Sequence, residues 1–192
     1  MNVGRVRSAL CVLIAAALVV ESARAAEVAG IRLDDRISLA GRSLVLNGAG
    51  VRAKLLLEVY VVALYLPKRA SDAPSVFAMA PRRIQMNMLL TVSSREIIDA
   101  LLDTMADNST PAELAAVKRE TDRLVALISP LKEAKKGDVV TLDFVRGGTN
   151  LGWNGRFRGR IPGEAFNRAL TRIWLGEKPV QPDLKGRLLG GK

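Results

Sequence analysis

Between Leu55 and Leu66 the chain reads LLLEVYVVALYL, twelve residues whose single charge is Glu58. An unbroken run of Leu, Val, Ala and Tyr fits a strand covered on both faces rather than one half exposed to water. Joined to the preceding Asn47–Lys54, it predicts one central strand running to Pro67, entered through a tight turn at Gly48, Ala49 and Gly50. Side chains two apart share a face of a strand. Arg52, Lys54, Leu56, Glu58, Tyr60, Val62 and Leu64 then line one side, and Leu55, Leu57, Val59, Val61, Ala63 and Tyr65 the other.

The same patterning divides the rest of the chain. Residues 26–41 predict one or two short strands around Val28, Ile31, Leu33, Ile37 and Leu39, and Ser43–Leu46 begins the central antiparallel pair. The Pro- and Ser-rich stretch 68–80 reads as a connection, and Arg82–Val92, with Ile84, Met86 and Met88 alternating against Gln85 and Asn87, as a half-buried strand. Two helices follow. Ser93 with Glu96, and Thr110 with Pro111 and Glu113, are capping boxes; the apolar stripes are Ile97, Ile98, Leu101, Leu102 and Met105 in one and Leu114, Val117, Leu124, Leu127 and Ile128 in the other. After Gly137 the period returns to two. Strands are predicted over 139–145, 149–153 and 156–161, the last pair joined by Asn154-Gly155, a strong hairpin signal. In the third strand Arg156, Arg158 and Arg160 are expected on one exposed face and Phe157 and Ile161 on the other. A helix over Glu164–Leu175, capped by Gly176, directs Phe166, Leu170, Ile173 and Trp174 inward. This order of elements predicts an α+β domain, a large antiparallel sheet with helices layered on one face.

The first 25 residues add a different signal. Arg5 and Arg7 precede twelve apolar residues, Ala9–Val20, and Ala23-Arg24-Ala25 is a small-x-small cleavage site, the layout of a secretory signal peptide. The expected organisation is therefore a signal peptide over 1–25 and one domain over 26–192, periplasmic or secreted. Twelve apolar residues are too few to span a bilayer, and no stable membrane insertion is expected after cleavage. The exported form would lose Cys11, the sole cysteine, and with it any route to a disulfide. It would keep 26 basic against 18 acidic residues.

Composition then narrows the chemistry. The chain has no histidine, which excludes imidazole acid–base work, histidine triads and histidine metal ligands. No close carboxylate cluster suggests a metal, and no motif suggests a cofactor. Lys68, Lys132, Lys135 and Lys136 stand in no recognisable nucleophile context. Basic residues are scattered and aromatics make up 4% of the chain, so stacking platforms for nucleic acid are lacking. What stands out is Arg52 with Tyr60. A guanidinium and a phenol facing an apolar cleft suit an anionic or carbonyl-bearing ligand with a greasy body. The plain structural alternative is an Arg52–Glu58 ion pair and Tyr60 as core.

Two stretches carry a resemblance: GAGVR at 48–52 leading to ALYLP at 63–67, and NGRFRGRIPGEAFNRALTRIWLGEKPVQPDLKGRLLG at 154–190. Together they resemble the chalcone isomerase superfamily, and specifically its bacterial chalcone isomerase-like branch. The resemblance implies an open-faced β-sandwich. In the plant enzymes it implies an intramolecular addition of a phenolate to an unsaturated ketone, guided by the arginine of the GAGVR motif, which is Arg52 here. The family's strand threonine falls on Tyr60 and its late threonine on Ile173, while Thr91–Ala100 contains neither the helical tyrosine nor the asparagine. Non-catalytic fatty-acid-binding members hold a carboxylate with an arginine and a tyrosine, and Arg52 with Tyr60 resembles that pair more closely. The expectation is an exported binding protein for a fatty acid or similar amphipathic carboxylate, its ligand-binding residues Arg52 and Tyr60, with no cofactor and no metal. The alternatives are an isomerase acting on a chalcone-like or other conjugated ketone, with Arg52 catalytic, and an interaction module whose cleft its own side chains fill.

Overall fold

The computed structural model describes residues 26–191. A short hairpin, β1 (Ala26–Val28) and β2 (Ile31–Leu33), precedes β3 (Arg36–Leu39), β4 (Arg42–Lys54) and β5 (Leu57–Leu66). Helix α1 (Ala73–Phe77) interrupts the connection to β6 (Arg82–Met88), and β7 (Val92–Ser93) leads into α2 (Ser94–Asp107), α3 (Pro111–Ala116) and α4 (Lys118–Ile128). Then come β8 (Glu133–Ala134), the meander β9 (Val139–Val145), β10 (Gly148–Trp153) and β11 (Arg156–Pro162), and helices α5 (Glu164–Leu175) and α6 (Pro182–Leu188). Seven strands form one antiparallel sheet in the order β11-β10-β9-β6-β5-β4-β3. The helices cover one face. There Leu64, Leu66, Ile84, Leu142, Phe144, Leu151 and Ile161 pack with Phe166, Leu170, Ile173 and Trp174 of α5, each large side chain contributing about 1.5–3 kcal/mol by leaving water. On the other face the β1–β2 hairpin shelters Leu44, Leu46, Val61, Ala63 and Tyr65 together with its own Leu33. The fold is α+β with helices on one face of a large antiparallel sheet, as the order of elements predicts, and it is the open-faced sandwich that the resemblance implies.

The long central strand is overturned. Leu55 and Leu56 form a two-residue turn, both with positive φ (48° and 68°), and the chain reverses there, so that the apolar run is the second arm of a hairpin. The pairing Lys54↔Leu57 and Ala53↔Glu58 closes it. Positive φ at both central residues marks a type I′ turn. Ala29-Gly30, Ala40-Gly41 and Asn154-Gly155 show the same pair of positive values with glycine second; the Leu-Leu turn lacks that relief, at a cost of about 1–2 kcal/mol per residue. Its leucines stand 89% and 100% exposed.

Nor do Gly48 and Gly50 turn the chain. Both lie within β4, and their missing side chains make room for α6, which lies against that strand. A Cβ on Gly48 would overlap the Arg187 carbonyl, and one on Gly50 would stand 2.8 Å from a Leu184 methyl. Asn47, unpaired at the bulge between Leu46 and Gly48, fastens the arrangement: its amide donates to the carbonyls of Leu188 (2.7 Å) and Ala70 (2.9 Å) and accepts from the Ala70 N–H.

The capping boxes form as expected, Ser93 with Glu96 and Thr110 with Glu113. The second predicted helix breaks in two at Val117, whose backbone (φ −112°, ψ 11°) leaves the helical region. In β11 a bulge shifts the register, Leu151 facing Gly159 and Gly152 facing Phe157. The bulge reverses the alternation. Phe157 is therefore 69% exposed while Ile161 is buried, and the three arginines do not share a face. Arg160 lies opposite Asn150 and bonds to it, whereas Arg156 lies opposite the inward-facing Trp153.

Candidate functional site

Arg52 and Tyr60 meet across the hairpin. They are direct partners in the β4–β5 ladder, and opposite residues in an antiparallel pair project to the same face. That face is the one under the helices, since Tyr60 packs against the main core cluster. Their juxtaposition was expected from spacing along one strand; it arises instead from the turn at Leu55-Leu56.

Each polar tip has a partner. The Trp174 indole N–H donates to the Tyr60 hydroxyl oxygen at 3.3 Å. The Arg52 guanidinium donates to the carbonyl of Ala53 and, at 3.4 Å, to Oε1 of Gln181, which also accepts the Ala53 N–H at 3.0 Å. Among the described residues Arg52 has no carboxylate partner, Glu58 included. Burial pushes the Tyr60 phenol up, against the opposing pull of the Trp174 hydrogen bond and the Arg52 charge. The phenol thus stays protonated at neutral pH. Because its oxygen accepts from Trp174, its own proton is free for another acceptor. The arrangement is a cation and an O–H donor side by side against an apolar wall, with a neutral amide resting on the cation.

Val59 beside Tyr60, and Ile97, Ile98 and Leu101 of α2, are half-buried apolar residues at the margin of the same core. Lys54, two residues beyond Arg52, lies near enough to Glu96 at the start of α2 to help lower that carboxyl, though hydrogen bonds from Ser93 dominate the effect. The start of α2 therefore stands beside this end of the hairpin. Two clefts open elsewhere. One of about 780 Å³ lies between the 68–79 connection and the end of the chain, walled by Lys68, Arg69, Ser71 and Asp72, and another by Ser94, Arg95 and Lys132. Neither is lined by Arg52 or Tyr60. The first is also walled by Ala70, Ala78, Met79 and Leu189, so it joins charged to apolar surface.

A second polar group lies in the core under α5. Arg82 is 3% exposed, with its guanidinium 4.5 Å above the Phe144 ring. It donates to the Met79 carbonyl and the Thr171 hydroxyl, each at 2.8 Å, and its Nε has no partner. Burial lowers its pKa to about 10, which leaves it charged at neutral pH. Thr171 in turn donates to the Asn167 carbonyl (2.6 Å), and the Asn167 side chain accepts from Thr149 (2.5 Å). Period-two reading places Arg82 on the same face as Ile84, Met86 and Met88, so its inward direction was visible in the sequence. Gln181, between Val180 and Pro182, carried no such signal. Ile173, the position of the family's late threonine, is buried in the main core.

A family described as chalcone isomerase-like matches residues 25–190. The crystal structure of a fatty-acid binding protein from Arabidopsis thaliana is similar to this one, with a TM-score of 0.64 at 14% identity over 83% of this chain and 92% of that chain. At that identity the likeness is one of fold. No curated protein sequence matches the chain.

Proposed function

The chain belongs to the chalcone isomerase-like family, and from that premise we propose that it is a non-catalytic binding protein for a fatty acid or similar amphipathic carboxylate, held between the sheet and the helices with Arg52 and Tyr60 at the acid group. The observation that carries this reading is the direct cross-strand pairing of Arg52 with Tyr60 on the helix-covered face. A carboxylate accepts charge-assisted hydrogen bonds from a guanidinium more strongly than an amide does. It would take over the place that Gln181 fills and accept the free proton of Tyr60. Each methylene buried in the tail adds about 0.8 kcal/mol, so the tail supplies affinity and Arg52 orientation. The similarity to a fatty-acid binding protein supports the ligand class. The signal-like stretch over residues 1–25 supports export to the periplasm or beyond.

A protonated phenol next to a guanidinium is also what polarises a ketone, and this favours the second reading, an isomerase of conjugated ketones. The chain has no other tyrosine near Arg52, and Tyr65, its only other one, faces the opposite side of the sheet.

Native mass spectrometry of the protein recovered from its exported fraction, beside Arg52→Ala, tests the first reading. A bound acid present in the wild type and depleted in the variant is expected, as is a greater loss of affinity for a fatty acid than for the alcohol of the same length. Equal losses for acid and alcohol overturn the role of Arg52. Turnover of chalcones above background, lost in Tyr60→Phe, would establish the isomerase instead.

A further inference from the structure

The larger cleft lies at the open end of the β4–β5 hairpin, whereas Arg52 and Tyr60 sit near its turn. Three segments meet there: β4 at its bulge, the connection after β5, and the chain beyond α6. Asn47, 3% exposed, joins them, because its one amide bonds to Ala70 on one side and Leu188 on the other. The bulge leaves that amide free to do so, and bulges re-aim side chains in this way beside functional sites. A further wall is α1, whose start is fixed by Asp72: the carboxylate accepts from the Ser75 N–H and from the Ser75 hydroxyl, each at 2.8 Å. The walls are thus held in place before any ligand arrives, which lowers the ordering cost of binding.

The charges on this cleft do not cancel. Its ionised lining residues are Lys68, Arg69 and Asp72. Both oxygens of Asp72 are engaged by Ser75, while neither cation has a carboxylate within ion-pair distance among the described residues. Behind the wall stands buried Arg82, which donates to the Met79 carbonyl at 2.8 Å. Its charge is partly offset by Glu164 of α5, so the surplus in the cleft belongs to Lys68 and Arg69. Beside these two, half-buried Ala70, Met79 and Leu189 present apolar surface. Cations next to an apolar wall, in a space of about 780 Å³, suit a small organic anion. Its head would lie on Lys68 and Arg69 and its body against Met79 and Leu189, where an unbranched thioether adapts to an irregular fit.

We propose that this cleft is a second ligand site, which takes a small amphipathic anion of the medium-chain carboxylate type. It does not rest on what Arg52 binds.

The test is NMR of the protein with isotope-labelled methionine methyls, titrated with octanoate, octanol and inorganic phosphate. Met79 reports on this cleft, and Met88, the cross-strand partner of Tyr60, on the other site. Octanoate is expected to shift the Met79 methyl saturably, in wild type and in Arg52→Ala alike. The variant K68A/R69A alters exposed side chains only, with circular dichroism to verify its fold, and should weaken that titration about tenfold or more. Octanol and phosphate each lack half of the ligand and should bind about tenfold more weakly than octanoate, or less well still. A Met79 methyl unmoved by octanoate, or moved equally in K68A/R69A, overturns the proposal. So does octanol or phosphate that binds as tightly as octanoate. A response confined to Met88 overturns it while supporting the ligand assigned to Arg52, and one confined to Met79 does the reverse, so the two readings fail separately.

Discussion

The indole nitrogen of Trp174 donates to the hydroxyl of Tyr60 across 3.3 Å, tying α5 to β5 at the point where β5 faces Arg52. The bond orients the phenol and satisfies the N–H of a tryptophan that is 4% exposed. Tyr60→Phe strands that donor in the interior. Urea unfolding should show a loss of about 1–3 kcal/mol, the cost of an unsatisfied buried group, and fatty-acid affinity should fall in the same variant.

The tyrosines also set the alkaline limit of stability. Tyr65 is raised from 10.0 to about 12, first by burial and then by Asp34, with Arg83 opposing. The unfolded chain releases this proton near pH 10 while the folded chain holds it to about 12. Stability is therefore intact below pH 10 and falls as pH rises through that window. Tyr60, also raised, acts in the same direction. Denaturation midpoints followed into alkali should decline less steeply in Tyr65→Phe than in wild type.

Gln181 tests the anchor from the protein's side. Gln181→Glu places a carboxylate on Arg52 and satisfies it internally, which should cut fatty-acid affinity about tenfold or more, the worth of a charged hydrogen bond. Gln181→Ala should leave Arg52 more available and raise affinity. Calorimetric titration distinguishes the two, and unchanged affinity in Gln181→Glu would remove Arg52 as the contact.

Gly48→Ala drives a methyl group into the Arg187 carbonyl, and backbone on both sides leaves nothing flexible to yield. A destabilisation of about 1–3 kcal/mol is expected. Because α6 must lift, trypsin should cut after Lys185 and Arg187 faster than in wild type.

For the buried Arg82, the smaller partner should matter more than the charge. Thr171→Val takes away one of its two 2.8 Å acceptors and leaves a cation in the core under-bonded, whereas Arg82→Met removes the charge and keeps apolar bulk over Phe144. Thr171→Val should lower Tm more than Arg82→Met, since an uncompensated buried charge costs more than its replacement by a hydrophobe.

What the sequence disclosed, and what it hid, follows from where each signal resides. Ser93 with Glu96, Thr110 with Glu113, and Asn154-Gly155 act through neighbours in the chain, and each forms as read. The stripe of α5 is buried because its period is long and regular. The Leu55-Leu56 turn carried no glycine or asparagine, so an apolar run of two directions read as one. Short α6 contains Gly186 and too few turns to show a period, and its place is dictated by Gly48 and Gly50 more than a hundred residues earlier. Arg52 and Tyr60 were legible as residue types facing one way; Gln181 and Trp174, which engage them, belong to contacts made only after the chain has folded.

The two outermost strands bear on how this molecule survives at high concentration. An open sheet, unlike a closed barrel, ends in unpaired N–H and C=O groups that can recruit a stranger's strand. One border, β3, is four residues long and begins with Arg36; the other, β11, carries Arg156, Arg158 and Arg160, a bulge and a terminal proline. Short length, positive charge and irregular pleating each discourage edge-to-edge growth. The protection belongs to the finished sheet alone. Until β4, β5 and β6 have closed, Leu57–Leu66 is a β-prone segment with Glu58 as its one charge, and aggregation is a hazard of the unfolded chain against which the finished fold offers nothing.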